Sequence, residues 1–326
     1  MGFFDGKSIL VTGGTGSFGK AFVKHVLANH KPKRVVVFSR DELKQFEMAN
    51  ELDTPNLRYF IGDVRDEARL ERAFAGIDIV VHAAAMKQVV AAEYNPMECI
   101  KTNILGAENI INAALNTGVE KVLALSTDKA VNPLNLYGAT KLCSDKLFVA
   151  ANHLSSFDGP LFSVVRYGNV IGSRGSVIPF FKNRRASGVL PITDPRMTRF
   201  WITLEDGIKF VEKSIEFMHG GEVFIPKLAS MRIEDLAKAL APECKLEVIG
   251  IRPGEKLHEM LIPGDEARNT IEFDNYYIIR PTHLQIVRDT ETYNGTRGKP
   301  VDNGFEYASD TNTQWVSNEE LLEIIE

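Results

Sequence analysis

The stretch Ser8-Ile9-Leu10-Val11-Thr12-Gly13-Gly14-Thr15-Gly16-Ser17-Phe18-Gly19 decides the fold of this chain. Its first five residues have the composition of a short buried strand, and they end directly in a glycine-rich turn. Apolar residues at helical spacing follow over residues 21–27. Strand, glycine turn and helix in this order are the context that a dinucleotide-binding fingerprint requires.

Each glycine of this turn has its own expected role. Gly13 permits the tight turn, Gly16 lets backbone approach a pyrophosphate, and Gly19 lets the helix lie close to the sheet. Backbone N–H groups at the start of the helix then face the phosphates. The cofactor contacts predicted in this segment are Gly13, Thr15, Gly16, Ser17, Phe18 and Gly19.

The end of the second predicted strand, residues 34–38, indicates which cofactor binds. An acidic residue about 20 residues past the glycine turn holds the ribose 2′-hydroxyl of NAD. Ser39 and Arg40 occupy this position instead, and a guanidinium suits a phosphate, so we predict NADP, with Lys44 as a further contact. Asp41 follows directly, so a shift of one residue would favour NAD.

Strand and helix signals alternate through the first half of the chain. This alternation predicts an α/β fold with a doubly wound, mostly parallel sheet of the Rossmann type and helices on both faces. Predicted strands 57–61 and 77–82 run into Asp63, which can accept from an adenine amino group, and into small residues that let a cofactor approach. The cofactor contacts predicted at these strand ends are Asp63, Val64, Ala83, Ala84 and Ala85.

The second half has a looser pattern, which indicates a smaller C-terminal substrate-binding domain. We predict that residues 1–167 and 199–221 form the NADP-binding domain and that residues 168–198 and 222–326 form the nucleotide-sugar-binding domain. Near the C-terminus, Ser317 to Glu320 has the pattern of a capping box that starts a terminal helix.

Two sets of proton-handling groups lie between residues 125 and 141. Tyr137 and Lys141 are four residues apart and share a helix face, where an ammonium is expected to lower the tyrosine pKa from about 10. Asp128 and Lys129 offer a second acid and base. Because one pair suffices for oxidation of an alcohol, two pairs indicate an oxidation coupled to an elimination.

Composition excludes several classes of protein. The 326 residues carry a net charge of −5, which argues against a general nucleic-acid surface. No apolar run is long enough to span a membrane, and the N-terminus lacks a signal-peptide core. The three cysteines have no metal-ligand spacing, so we expect no metal site and a reducing cytoplasm.

Longer motifs identify a family. The chain resembles the extended short-chain dehydrogenase/reductases that modify nucleotide sugars, and within them the UDP-N-acetylglucosamine 4,6-dehydratases (5-inverting). Val90 departs from the pattern, because a proline is expected there. The motifs that carry the resemblance are Ser-Thr-Asp-Lys-Ala at 126–130, Asn-Leu-Tyr-Gly-Ala-Thr-Lys at 135–141, Arg-Tyr-Gly-Asn at 166–169, Met-Thr-Arg-Phe-Trp-Ile at 197–202 and Arg-Pro-Gly-Glu-Lys-Leu-His-Glu at 252–259.

The resemblance implies a role for each catalytic residue. Tyr137 would take the sugar O4 proton, and Thr127 would hydrogen-bond the substrate. Lys129 would take the C5 proton if burial or a nearby cation lowered its pKa from about 10.4, and a protonated Asp128 would donate to the departing C6 hydroxyl. The substrate contacts expected from the resemblance and from loop arginines are Lys87, Asn169, Arg174, Val177, Thr198, Arg199, Arg252 and Glu255.

The resemblance further implies UDP-N-acetylglucosamine as substrate, the opening step of pseudaminic acid synthesis, and a homo-oligomer, with a hexamer as the working hypothesis. Two alternatives stay open at this stage. An NAD(P)-dependent UDP-sugar 4-epimerase needs Tyr137 and Lys141 but not the Asp128/Lys129 pair. A non-catalytic NADP-sensing protein on the same fold needs none of the four.

Overall fold

The doubly wound α/β prediction is confirmed by the computed structural model, which describes residues 2–171, 177–282, 291–293 and 295–325. The elements of the first half are β1 (Ser8–Thr12), α1 (Ser17–Asn29), β2 (Arg34–Ser39), α2 (Glu42–Glu51), β3 (Leu57–Ile61), α3 (Glu67–Phe74), β4 (Ile79–His82), α4 (Val89–Tyr94), α5 (Pro96–Ile100), a π-helical turn (Lys101–Leu105), α6 (Gly106–Thr117), β5 (Lys121–Thr127), a 3₁₀ turn (Asp128–Ala130), α7 (Leu136–Ala151) and β6 (Leu161–Tyr167).

The second half adds shorter elements. They are β7 (Asn169–Val170), α8 (Val177–Arg184), a 3₁₀ turn (Arg185–Ser187), β8 (Val189–Ile192), β9 (Thr198–Ile202), α9 (Leu204–Phe217), β10 (Val223–Pro226), β11 (Ala229–Arg232), α10 (Ile233–Leu240), β12 (Lys245–Val248), β13 (Met260–Ile262), a 3₁₀ turn (Gly264–Asn269), β14 (Thr270–Glu272), β15 (Tyr276–Ile279), β16 (Thr292–Tyr293), β17 (Thr296–Arg297), β18 (Lys299–Pro300), β19 (Tyr307–Ala308) and α11 (Asn318–Ile325).

The central sheet has ten strands in the order β18-β14-β15-β10-β6-β5-β4-β1-β2-β3. The seven strands from β10 to β3 are parallel, and β15, β14 and β18 continue the sheet in antiparallel pairing. Four of these strands, β10, β14, β15 and β18, lie within residues 222–326, so this part of the chain extends the central sheet. The reason is burial, because Phe224, Ile225 and Ile278 pack into the main core.

Two helix layers cover the sheet. Helices α1 and α9 pack together in one layer, and α3, α6 and α7 form a contiguous group in the other. Every residue of β1 is buried, as expected for a parallel strand covered on both sides. Between α1 and α9, the Nε2 atoms of His25 and His30 lie 2.6 and 2.7 Å from the two carboxylate oxygens of Glu212. These contacts tie the two helices together.

A smaller unit beside the sheet has its own core. Strand β9 pairs with β7 and β11, and β8 pairs with β12. Phe181, Leu190, Trp201 and Leu236 are buried in this second core. The predicted capping box is confirmed, since the N–H of Glu320 donates to the hydroxyl of Ser317, and the Ser317 N–H donates to the Glu320 carboxylate.

The carboxyl ends of the parallel strands form one edge, where the predicted site residues collect. Strand β5 runs to Thr127, so the turn begins at Asp128. A glycine turn, Asp63, Ala83 and Asn169 follow β1, β3, β4 and β6 at the same edge. Within the described parts of the chain, no helix is long and apolar enough to cross a membrane.

Candidate active site

The glycine turn after β1 is a cradle that excludes larger residues. Gly13 has φ +64°, and a Cβ there would lie 2.9 Å from the Cα of Ala84. A Cβ on Gly19 would lie 2.5 Å from the Cα of Gly14, so α1 approaches the turn as closely as backbone allows. Gly16 is the N-cap of α1. The cradle therefore fits a pyrophosphate seated against bare backbone.

A cleft of about 610 Å³ runs from this cradle to the end of β2. Arg40 lies 3.6 Å from the Asp63 carboxylate at the side of the cleft. Asp41 is the N-cap of α2, and it accepts from the backbone N–H of Lys44 at 3.0 Å and pairs with the Lys44 ammonium at 2.6 Å. The predicted cofactor residues that line this cleft are Gly13, Thr15, Gly16, Ser39, Arg40, Lys44, Asp63, Val64, Ala83, Ala84 and Ala85.

A second cleft of about 420 Å³ adjoins the first, and both are lined by Ala83 and Ala85. The loop after β4 lies between the two clefts and is held by Asn103. The Asn103 side-chain oxygen accepts from the N–H of Met86, and its NH₂ group donates to the Met86 carbonyl and to the Thr140 hydroxyl on α7. The predicted residues that line this second cleft are Ser17, Phe18, Ala83, Ala85, Lys87, Thr127, Lys129, Tyr137, Lys141 and Asn169.

The 3₁₀ turn after β5 places an acid and a base in direct contact. Asp128 is fully buried, and its Oδ1 accepts from the hydroxyl of Thr127 at 2.9 Å and from the ammonium of Lys129 at 3.0 Å. Its Oδ2 has no hydrogen-bond partner among the described residues. The Lys129 ammonium also lies 3.4 Å from Oε1 of Glu259. One lysine therefore stands between two buried carboxylates.

The charge state of Lys129 differs from the prediction. Burial acts to lower the Lys129 pKa, but the carboxylates of Asp128 and Glu259 outweigh burial, so the pKa is raised. The nearby cation Arg199 lowers it only in part. The condition set for Lys129 as a base, a lowered pKa, is therefore not met in this structure, because Asp128 and the sequence-distant Glu259 together outweigh burial.

Tyr137 also departs from the expected direction. Burial raises the pKa of Tyr137 to about 12, and the ammonium of Lys129 and the hydrogen bond between Tyr137 and Thr127 act against this rise. Burial lowers the pKa of Lys141, and the carboxylate of Asp145 opposes this shift. The prediction that Lys141 lowers the tyrosine pKa is therefore not met, and Lys129 is the cation that acts most strongly in that direction.

The predicted substrate residues are divided between the cleft and its surroundings. Asn169 lines the second cleft, and its buried Oδ1 has no hydrogen-bond partner among the described residues. Lys87 lines the same cleft, and burial lowers its pKa. Thr198 bonds His258 and Ser309 instead of facing this cleft.

The predicted arginines lie outside the lining of the second cleft. Arg199 is buried and donates to the carbonyls of Thr198 and residues 256–257. Arg252 is exposed, and it pairs with Glu255 at 2.6 Å. Val177 begins α8, and Arg174 lies outside the described residues.

Several residues at the site were not assigned from sequence. Glu259 and Lys256 approach Asp128 and Lys129 from the loop before β13, and Trp201 lines the second cleft from β9. Lys256 and Glu259 belong to the motif at residues 252–259, which the sequence analysis had identified. The spacing within that motif does not show that this segment folds back onto the turn after β5.

Comparison with known proteins follows this geometry. Residues 9–281 match a family model described as "Polysaccharide biosynthesis protein". The chain belongs to this family. It is 59% identical to the UDP-N-acetylglucosamine 4,6-dehydratase (inverting) of Campylobacter jejuni subsp. jejuni serotype O:2, over 99% of this chain and 98% of that protein. The resemblance inferred from the motifs is thereby confirmed.

Other relatives carry different names. The UDP-glucose 4-epimerase of Rickettsia bellii is 45% identical, over 85% of this chain and 83% of that protein. The X-ray structure of Pen from Bacillus thuringiensis superposes with a TM-score of 0.90 at 39% identity, over 99% of this chain and 98% of that one. The dTDP-glucose 4,6-dehydratase DesIV from Streptomyces venezuelae was solved with NAD and TYD bound. It superposes with a TM-score of 0.69 at 25% identity, over 77% of this chain and 86% of that one.

Proposed function

We propose that this protein is a UDP-N-acetylglucosamine 4,6-dehydratase that inverts C5 and gives UDP-2-acetamido-2,6-dideoxy-β-L-arabino-hex-4-ulose. One observation carries the proposal: Tyr137 and Lys129 line the same cleft next to the dinucleotide cradle, and the buried Asp128 carboxylate lies 3.0 Å from the Lys129 ammonium. The full-length similarity to the Campylobacter enzyme supports this substrate. We propose a cytoplasmic location and a first step of pseudaminic acid synthesis on the same grounds.

The residues present fit NADP. A Cβ would fill the glycine cradle, and Arg40 and Lys44 place two cations beside Ser39 at the end of the first cleft. Asp41 is engaged as the N-cap of α2, which argues against its binding a ribose hydroxyl as in NAD proteins. When bound, the nicotinamide would accept a hydride from C4 and return it to C6, and a proton added to C5 from the opposite face would complete the product and invert C5.

The side chains would divide the proton transfers. Tyr137 takes the O4 proton, and the resulting 4-ketone acidifies the C5 proton. Lys129 then removes the C5 proton after passing its own proton to Asp128, and Asp128 delivers that proton to the departing C6 oxygen. This single transfer over 3.0 Å creates both the base and the acid that the elimination needs. Thr127 orients Asp128 through a 2.9 Å hydrogen bond.

Product analysis tests the proposal. Incubation with UDP-N-acetylglucosamine should give a 4-keto-6-deoxy sugar whose new methyl group and C5 configuration are visible by proton NMR. The epimerase alternative predicts a C4 epimer that keeps its C6 hydroxyl. The name of the Rickettsia relative favours the epimerase alternative. Epimerisation at C4, however, does not require an acid–base pair such as Asp128 and Lys129. A C4 epimer as sole product would overturn the dehydratase proposal.

Arg40 is expected to determine cofactor preference. Its guanidinium is half exposed at the end of the first cleft, where a 2′-phosphate would displace it from the Asp63 carboxylate. Arg40→Ala should weaken NADP(H) binding about 10-fold or more and leave NAD(H) binding nearly unchanged. Calorimetric titration with both cofactors measures this. Equal affinity of the unaltered protein for both cofactors would contradict the proposal.

We propose a homo-oligomer, with a hexamer as its expected size. Val90, Tyr94, Met97 and Leu105 expose large apolar side chains on α4, α5 and the π-helical turn, and α4 and α5 pack on α7. Light scattering at micromolar concentration should give a multiple of the one-chain mass, and Tyr94→Glu should lower that mass. A one-chain mass for the unaltered protein would refute the proposal.

A further inference from the structure

Glu259 is a buried carboxylate outside the residues assigned to proton transfer above. It is 2% exposed, and its Oε1 lies 3.4 Å from the Lys129 ammonium and 3.7 Å from the guanidinium of Arg199. Its backbone is fixed, because its N–H donates to the hydroxyl of Ser309 and its carbonyl accepts from the Ser309 N–H. The side chain is therefore held against Lys129 by the pairing of β13 with β19.

The charges around Glu259 come from three separate parts of the chain. Asp128 and Lys129 approach from the turn after β5, Arg199 from β9, and Lys256 from the preceding loop at 3.8 Å. Arg199 is held by three backbone carbonyls, and the Lys256 ammonium donates to the carbonyl of Val131. Both cations are thus held by other partners, whereas the Lys129 side chain lines the cleft.

Lys129 also acts on two further groups that line the cleft. Its ammonium lowers the pKa of Tyr137 against burial, and it adds to the lowering of the Lys87 pKa by burial. A charged Lys129 thus helps Tyr137 take the O4 proton, but only a neutral Lys129 can take the C5 proton. The two halves of the proposed reaction need opposite charge states of one side chain.

We infer that Glu259 is a positioning residue that keeps Lys129 in its charged form through the O4 step, until the Lys129 proton passes to Asp128 for the C5 step. This inference rests on the proposed function. In the transfer the Lys129 N–H bond breaks and the Asp128 O–H bond forms, so Lys129 becomes an amine, Asp128 a carboxylic acid, and Glu259 stays a carboxylate. No co-reactant is needed. Burial and Asp128 raise the Glu259 pKa, and the cations Lys129, Arg199 and Lys256 act against this rise.

The pH dependence of kcat/KM with C5-deuterated UDP-N-acetylglucosamine tests the inference, because deuteration slows the C5 step and makes the measured rate depend more strongly on it. Glu259→Gln keeps the size of the side chain but removes its charge, so Lys129 should lose its proton more easily. The fall of kcat/KM at high pH, where the Asp128–Lys129 pair loses its shared proton to solvent, should therefore shift to lower pH by about one unit or more. Glu259→Asp, whose charge lies farther from Lys129, should give a smaller shift in the same direction.

The controls separate this inference from the proposed function. Glu272→Gln removes a carboxylate that pairs with a lysine at 2.7 Å on β14, and it should leave the profile unchanged. Slower turnover with an unmoved midpoint in Glu259→Gln would show a merely structural role and overturn the inference. If Glu259→Gln fails to fold, an unmoved midpoint in Glu259→Asp overturns it equally. Failure of the unaltered protein to form the 4-keto product would instead overturn the proposed function.

Discussion

Single substitutions of Tyr137, Lys129 and Asp128 should separate the steps of the proposed reaction in deuterium oxide. Tyr137→Phe should give no label at C5 and no dehydration, because no ketone forms to acidify the C5 proton. Lys129→Met should leave O4 oxidation possible but give little label. Asp128→Asn removes the carboxylate that raises the Lys129 pKa most, so Lys129 should lose its proton to solvent and C5 should still take up label. Loss of the C6 hydroxyl should be slow, because an amide is a poor proton donor.

The expected losses are large because each group would transfer a proton in the step it serves. A positioned acid or base typically contributes about 10²–10⁴-fold to the rate, so dehydration should fall by this amount in each variant. Lys129→Met should also slow the O4 step, since the Lys129 ammonium acts against the burial that raises the pKa of Tyr137 to about 12. NMR of the labelled sugar reads both the exchange and the dehydration.

A matched control is available on the central sheet. Lys227 pairs with Glu272 at 2.7 Å, and neither residue lines the two clefts, so Lys227→Met should leave exchange and dehydration at the unaltered rates. Unaltered rates of C5 exchange and dehydration in Lys129→Met would mean that another group is the base. The assignment of the turn after β5 would then be wrong.

Gly138→Ala should disable the enzyme through one backbone contact. A Cβ at Gly138 would lie 2.2 Å from the carbonyl oxygen of Lys129 and 3.1 Å from Cβ of Pro133. Helix α7 would have to move away from the turn that carries Asp128, so Tyr137 would separate from the acid–base pair. We expect a loss of about 3 kcal/mol in the free energy of unfolding and a loss of about 10²-fold in activity, because misplacement by about 1 Å has that effect.

Urea unfolding and steady-state rates measure these two effects. Gly207→Ala is the control, because Gly207 is also buried within a helix, and the nearest atom to its added Cβ is a side-chain carbon of Ile202 at 3.7 Å. Alanine favours helix over glycine by up to about 1 kcal/mol, so this variant should be neutral or slightly more stable. Unaltered stability and activity in Gly138→Ala would show that the close contact does not control the site geometry.

Local sequence patterns were enough to predict the fold and the edge of the sheet that carries the site. The strand–glycine–helix pattern from Ser8 onward could be recognised because two of its positions require glycine. Gly13 adopts φ +64°, and Gly19 packs directly against backbone atoms. Parallel strands place their carboxyl ends at one edge, so Asp63, Ala83 and Asn169 could be expected together from their order alone.

The pKa values within the site depend on how distant elements pack around it. Helix spacing predicted a lowered pKa for Tyr137, and the role of Lys129 as a base required a lowered pKa, whereas both pKa values are raised in the structure. A pKa depends on burial and on charges from every element packed around the group, and spacing along one helix reports neither. Glu259 and Arg199 reach Lys129 from distant parts of the chain because β13 and β9 pack beside the turn after β5, and no local pattern encodes that approach.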